Sequence, residues 1–144
     1  MPSALRGVLL ALFEWTDAYS VSVLRFDTEH KKLFSLINEL NDAMAEKRGR
    51  FVIVRVLQEL SEYARWHFRG EESAMRRSGY PELEQHIAEH RVFTSKVAEF
   101  HAEYGENQAG IPIDVLLFLR DWLQKHILKT DHLYVECVNK AGIH

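Results

Sequence analysis

Apolar residues recur at three- and four-residue steps along most of the chain, and this is the period of an amphipathic α-helix. Four segments follow it, beginning near residues 28, 51, 81 and 112. Gly49, the turn Gly79–Pro81 and the stretch from Gly105 to Pro112 separate these segments, and such residues interrupt helices. Because each helix must bury one face and the connections are short, the pattern predicts an all-α, up-down-up-down antiparallel four-helix bundle.

The N-terminal part of the chain lacks this period. We expect residues 1–26 to form an arm that lies across the bundle and is anchored by Trp15, and residues 27–138 to form the bundle. Asp27 or Thr28 is the expected N-cap of the first helix. A length of 144 residues fits one domain, residues 1–144.

Composition excludes several classes of protein. With 7 glycines and 3 prolines, the chain has too few turn residues for a sandwich or barrel. A net charge of -3 argues against nucleic acid as a partner. The apolar run from Val8 to Phe13 is too short for a membrane span or a signal peptide, and Cys137 is the single cysteine, so a cytoplasmic protein is expected.

Histidine and carboxylate side chains lie on the apolar stripes. His30 precedes Leu33 by three residues, and the other members of the set keep similar helical steps. Measured from the three turns, all members also lie at similar heights in an antiparallel bundle, so they are expected to meet in one layer of the core. The set consists of His30, His67, Glu71, His86, His90, His126 and Asp131.

Five imidazoles and two carboxylates in an apolar layer are typical of a metal site. For any one histidine, a hydrogen-bonded core position is the simpler interpretation, but the set together favours ligands. Seven side chains exceed the capacity of one octahedral ion, so two ions are predicted. Two bridging carboxylates and a solvent-derived bridge would leave about one coordination position open for a small ligand. The five-residue step from His126 to Asp131 needs a π-bulge to turn both side chains inward.

The same spacings resemble those of the hemerythrins, most closely the single-domain bacterial members. The matching segments are His67 to Glu72, Gly79–Pro81, His86 to His90, and Trp122 to His126 with Asp131. The sequence around His30 and the early Trp15 also fit. The family often has glutamine where Glu29 stands and glycine where Ser22 stands, which concerns the packing of the arm rather than the ligands.

This resemblance implies two iron ions joined by an oxo or hydroxo bridge and two carboxylates. His86, His90 and His126 would bind one iron, His30 and His67 the other, and Glu71 and Asp131 would bridge. It further implies that dioxygen is the ligand of the open position on the two-histidine iron, so reversible oxygen binding is the expected function and an enzyme is not. Side chains expected to wall the ligand pocket are Leu123, Trp122, Phe34 and Phe68.

Other interpretations remain open from the sequence. The principal alternative is a di-iron enzyme, namely an oxidase or a scavenger of peroxide or nitric oxide; an oxygen sensor and a purely structural metal bundle are weaker ones. Glu72 lies one position off the apolar stripe, so it is either solvated or an acceptor for a ligand N–H group. We expect His101, His132 and His144 to lie at the surface.

Overall fold

The structure is a computed structural model that describes residues 12–106 and 113–144. Within that part of the chain, four long helices form the predicted up-down-up-down antiparallel bundle. They are α1 (Leu24–Ala45), α2 (Arg50–Ser78), α3 (Leu83–Glu106) and α4 (Ile113–Lys125). A π-helical turn (His126–Thr130), a 3-10 turn (Asp131–Tyr134) and the short helix α5 (Val135–Lys140) follow α4. The apolar run from Val8 falls mostly outside the described residues, as do the start of the arm and the turn before α4.

Helix α1 begins at Leu24, four residues before the predicted start. Neither Asp27 nor Thr28 is therefore the N-cap, which is Val23. The Asp27 carboxylate lies in the first turn and accepts hydrogen bonds from the Ser20 hydroxyl at 2.6 Å and from the Val21 backbone N–H at 2.8 Å. Its polar side chain thus ties the arm to the first turn instead of ending the helix, which is why its sequence position was misleading.

The end of the arm packs on the bundle through aromatic rings. Phe13 stacks on Phe34 with ring centroids 4.1 Å apart, and Tyr19 meets the same ring edge-on at 4.9 Å. Trp15 is half-buried beside Phe34 and Tyr19, as the sequence predicted, and the Lys31 ammonium lies 4.9 Å from its ring centroid. This cluster holds the arm against α1.

Two turns separate the first three helices. Gly49 precedes α2 with φ of 95°, and Gly79 ends α2 in the left-handed conformation with φ of 73°, both favoured by glycine. The Gly79 N–H then bonds the carbonyl of Arg76. Helix α3 begins at Leu83, two residues after the predicted start at Pro81.

Apolar side chains fill the space between the helices. One cluster includes Leu33, Leu60, Phe93 and Leu119, which are fully buried, and a smaller cluster surrounds Tyr134 near the short C-terminal helix. No helix of the described residues combines the length and apolar character needed to cross a membrane.

Candidate metal centre

Seven ionisable side chains converge inside the bundle, and none of them is more than 4% exposed. Helix α1 contributes one histidine, α2 a histidine and a glutamate, α3 two histidines, and the irregular segment after α4 a histidine and an aspartate. They are the seven residues singled out in the sequence: His30, His67, Glu71, His86, His90, His126 and Asp131. Polar groups on apolar faces need partners, so their convergence calls for a common ligand.

Asp131 connects three of the histidines. Its Oδ1 lies 3.0 Å from the Nε2 atoms of both His86 and His126, and its Oδ2 lies 3.2 Å from Nε2 of His30. The π-helical turn after α4 makes this arrangement possible, because it adds one residue to the turn between His126 and Asp131 and brings both side chains inward. The bulge predicted from the five-residue spacing is confirmed.

Glu71 lies between the two groups of histidines. Its Oε1 is 3.1 Å from Nε2 of His67 and 3.4 Å from Nε2 of His90. The other oxygen, Oε2, is 3.5 Å from Nε2 of His30 and accepts a 2.6 Å hydrogen bond from the Tyr134 hydroxyl. Two clusters of ligand atoms result, each with atoms within 4.8 Å of one another, and Glu71 belongs to both. One also contains His86, His90, His126 and Asp131, and the other His30 and His67.

The donor atoms fit a metal pair because they face one another at 3.0 to 3.5 Å without forming hydrogen bonds. The Nε2 atom of each of the five histidines is buried without a hydrogen bond, and so are Oε1 of Glu71 and both oxygens of Asp131. Such groups are rarely left unsatisfied in a native interior. Imidazole nitrogen and carboxylate oxygen suit divalent transition metals, and a carboxylate shared by two clusters suits two neighbouring ions.

The outward nitrogens of three ligand histidines meet carboxylates. His67 Nδ1 lies 2.7 Å from Glu29, His90 Nδ1 lies 2.7 Å from Glu72, and His126 Nδ1 lies 3.2 Å from Glu89. A carboxylate at Nδ1 fixes the tautomer that leaves Nε2 free to bind a metal. Of the two interpretations of Glu72, the structure therefore supports the acceptor for a ligand N–H group.

Charge pairing within the cluster shifts the ionisation of its members when no metal is bound. Burial lowers the pKa of His30, but the carboxylates of Asp131 and Glu71 raise it on balance to about 9. Burial likewise opposes the charged form of His126, yet Asp131 raises its pKa to about 10. Burial raises the pKa values of Glu71 and Asp131, but the surrounding histidines hold both well below their usual range. Without metal, the cluster is thus a set of buried ion pairs that a metal must displace protons to enter.

Comparison with known proteins identifies the family. Residues 22–138 match the sequence model of the hemerythrin HHE cation binding domain. A bacteriohemerythrin of Methylococcus capsulatus is 34% identical over 131 residues, which cover 90% of this chain and 99% of that protein. The chain belongs to the hemerythrin family.

Other relatives agree with this assignment. A bacteriohemerythrin of Clostridium acetobutylicum is 32% identical over 131 residues, covering 87% of this chain and 100% of the relative. The crystal structure of a wild-type hemerythrin superposes with a TM-score of 0.82 at 35% identity, covering 89% of this chain and 98% of that one. The bundle is therefore a fold that this chain shares with hemerythrins of known structure.

Aromatic rings pack directly on two ligand histidines of this hemerythrin bundle. Phe68 stacks on His90 with centroids 3.9 Å apart, and Trp122 stacks on His126 at 4.5 Å. Leu123, which the sequence places in the ligand pocket, is fully buried. Phe34, also predicted there, has ring contacts with the arm residues described above. The part of all four in a ligand pocket stays a prediction.

The histidines set aside in the sequence lie outside the cluster. His144 is exposed, whereas His101 and His132 are half-buried rather than fully at the surface. The His132 Nδ1 atom lies 2.7 Å from the carbonyl oxygen of Ile127, within the π-helical turn. His132 therefore bonds the backbone segment that joins His126 to Asp131, although it is not a member of either cluster.

Sequence reasoning missed three contributors to the centre: Glu89, Tyr134 and the role of Glu29. A signal for two of them existed, because Glu29 and Glu89 each directly precede a ligand histidine in the sequence. Tyr134 follows Asp131 by three residues, but only the irregular backbone after α4 determines that its hydroxyl reaches Glu71.

Proposed function

We propose that these seven side chains hold two iron ions and that the chain binds dioxygen reversibly beside them. The observation that carries the proposal is the asymmetry about Glu71, which belongs to one cluster with three histidines and to another with two. Ions of similar coordination number therefore receive unequal numbers of protein ligands, which leaves room for an external ligand on the two-histidine side. When bound, a ferrous pair supplies the open position and the two electrons that reversible dioxygen binding requires.

The chain itself sets the positions of the donor atoms and surrounds them with apolar side chains. Glu71 and Asp131 each contact histidines of both groups, and Tyr134 fixes one Glu71 oxygen by its hydrogen bond. Glu29, Glu72 and Glu89 hold ligand imidazoles in the metal-binding tautomer. Supporting residues on α1, α2 and α3 thus preset the positions of the donor atoms before any ion binds.

Apolar walls are the second requirement. Leu123 precedes His126 by three residues, so it lies one turn away on the same face of the helix, and it is fully buried. Phe68 and Trp122 cover two of the imidazoles. Walls of this kind exclude the water and protons that promote oxidation of a ferrous pair.

The decisive experiment is an optical titration with oxygen. Iron-loaded protein is reduced without air, exposed to oxygen, and returned to an oxygen-free atmosphere while its absorption is recorded. We expect two irons per chain, a new absorption band with oxygen, and recovery of the reduced spectrum after several cycles. Steady consumption of oxygen in the presence of a reductant, faster than any reversible change, would instead establish the di-iron enzyme.

The substitution Leu123→Asn tests the apolar wall. Asparagine is similar in volume but brings polar atoms and a partner for a water molecule, so the oxygenated form should oxidise to the ferric pair faster. Leu116→Asn is the matched control, because Leu116 is equally buried in α4 but lies seven residues before Leu123. Equal lifetimes of the oxygenated form in wild type and Leu123→Asn would refute the role of this wall.

A further inference from the structure

A buried carboxylate outside the ligand set connects the metal centre to the surface. Glu29 is 3% exposed, and its Oε1 lies 2.7 Å from Nδ1 of His67. Its other oxygen accepts a 2.8 Å hydrogen bond from Nε of Arg25, one turn earlier on α1. Both oxygens are therefore engaged, one by a ligand histidine and the other by a cation.

The position of Arg25 is set by the surface of α2. A Cβ atom at Gly70 would come within 2.6 Å of one terminal nitrogen of Arg25 and 3.3 Å of its Cζ. The guanidinium carbon also lies 5.3 Å from the Trp66 ring centroid and 5.7 Å from that of Phe26. The guanidinium thus rests in a space bounded by two aromatic rings and by the bare backbone of Gly70.

Without the contact with Arg25, a glycine at position 70 would be unexpected. It lies in the interior of α2, next to the bridging Glu71, where glycine weakens a helix relative to alanine. Neither a turn nor a left-handed backbone accounts for it, because its φ is not among the positive values. The close approach of Arg25 gives the glycine a structural reason.

We propose that Arg25 and Glu29 are positioning residues that set how strongly His67 donates to its metal, and that Gly70 provides the space that Arg25 requires. The inference rests on the proposed function, since it concerns the iron on the two-histidine side. Glu29 orients His67 and adds negative charge behind its ring, while Arg25 holds Glu29 in place and offsets part of that charge.

Opposite charges give the two residues opposite effects on the iron pair. In Glu29→Gln, an acceptor remains but a negative charge is lost, so the reduced state is favoured and the midpoint potential should rise. In Arg25→Gln, a positive charge is lost, so the midpoint potential should fall. In Gly70→Ala, the new methyl group displaces the guanidinium without changing any charge, and the midpoint potential should fall as in Arg25→Gln.

The experiment is a redox titration of the iron-loaded protein and these three variants. Arg55→Gln is the matched control, because Arg55 forms a 3.1 Å pair with Glu59 at the same four-residue spacing but contacts no ligand histidine. Its midpoint potential should stay close to that of wild type. Iron content and thermal unfolding are measured in parallel, and Gly70→Ala guards against a folding defect because alanine favours the helix.

Each outcome of the redox titration either supports or overturns the inference. Shifts of the same sign in Glu29→Gln and Arg25→Gln, or an equal shift in Arg55→Gln, would show that local charge and position at His67 are not responsible. An unchanged potential in Gly70→Ala would overturn the role of the glycine. Failure of the proposed function is distinguishable, since it would appear as the absence of a reversible oxygen spectrum in wild type rather than as unchanged potentials in the variants.

Discussion

Removing the metal should destabilise the bundle strongly. Eight ligand atoms of the seven clustered residues are buried without a hydrogen-bond partner. Leaving one such group unsatisfied costs about 1–3 kcal/mol, and the whole free energy of unfolding of a domain is only about 5–15 kcal/mol. The buried ion pairs of the metal-free protein offset part of this cost, and we expect the remainder to destabilise the fold.

Metal binding restores the lost free energy of unfolding by mass action. Free metal at a thousandfold excess over its dissociation constant stabilises the folded state by about 4 kcal/mol. For a chain of 144 residues, that corresponds to a rise of about 13 °C in the melting temperature. Differential scanning calorimetry of metal-free and iron-loaded protein measures the rise directly, and coincident melting curves would refute the coupling between metal and fold.

The difference in melting temperature between iron-loaded and metal-free protein should depend on pH. In the metal-free protein, the raised pKa values of His30 and His126, about 9 and about 10, stabilise the fold fully below the ordinary value of 6.5. That contribution is lost as the pH rises through the folded-state pKa values. The lowered pKa values of Glu71 and Asp131 stabilise the fold at higher pH. Their contribution is lost as the pH falls below about 4.

Ligand histidines bound to metal carry no proton at Nε2, so the loaded protein lacks the loss at high pH. The gap in melting temperature between loaded and metal-free protein should therefore widen from pH 6.5 to pH 9. A gap that stays constant or narrows over this range would show that the histidines are not protonated in the metal-free core.

Three further predictions concern single side chains. Tyr134→Phe removes the hydroxyl that donates to Glu71 and should lower the free energy of unfolding of the metal-free protein by about 1.5–3 kcal/mol in chemical denaturation; an unchanged midpoint would contradict the bond. Glu72→Ala should reduce affinity for one metal about tenfold or more in a chelator competition, while Glu72→Gln keeps an acceptor for His90 and should lose less. Ser22 has φ of 56°, so Ser22→Gly should raise the melting temperature slightly, with a lower value arguing against strain there.

Much of the fold and the centre followed from periodicity. Helical spacing placed Leu33, Leu60 and Leu119 on inner faces, and all three are fully buried. Because side chains on those same faces include the seven clustered residues, one pattern predicted both the core and the site. The irregular backbone after His126 was also predictable, since a five-residue step cannot align two side chains on a regular helix.

The arm could not be predicted in the same way. Its contacts join residues far apart in sequence, such as the Phe13 backbone and the Asn38 side chain, which exchange two hydrogen bonds at 2.9 and 3.0 Å. No local periodicity encodes such pairs. Asp27 shows the related limit at a helix end, where the same carboxylate could cap the helix or bind the preceding segment, and only the packed structure decides between them.

The carboxylates that contact Nδ1 of the clustered histidines follow a rule that is not visible when only the inward-facing positions of one helix are considered. Glu29, Glu72 and Glu89 each lie next to a clustered residue in sequence, yet each bonds a histidine on the following helical segment. Adjacent positions on a helix point about 100° apart. When one side chain points to the centre of a bundle, its neighbour therefore points toward the adjoining helix. Glu72 could therefore be predicted only as either solvated or an acceptor for a ligand N–H group, although its direction is the one that reaches the back of the His90 imidazole.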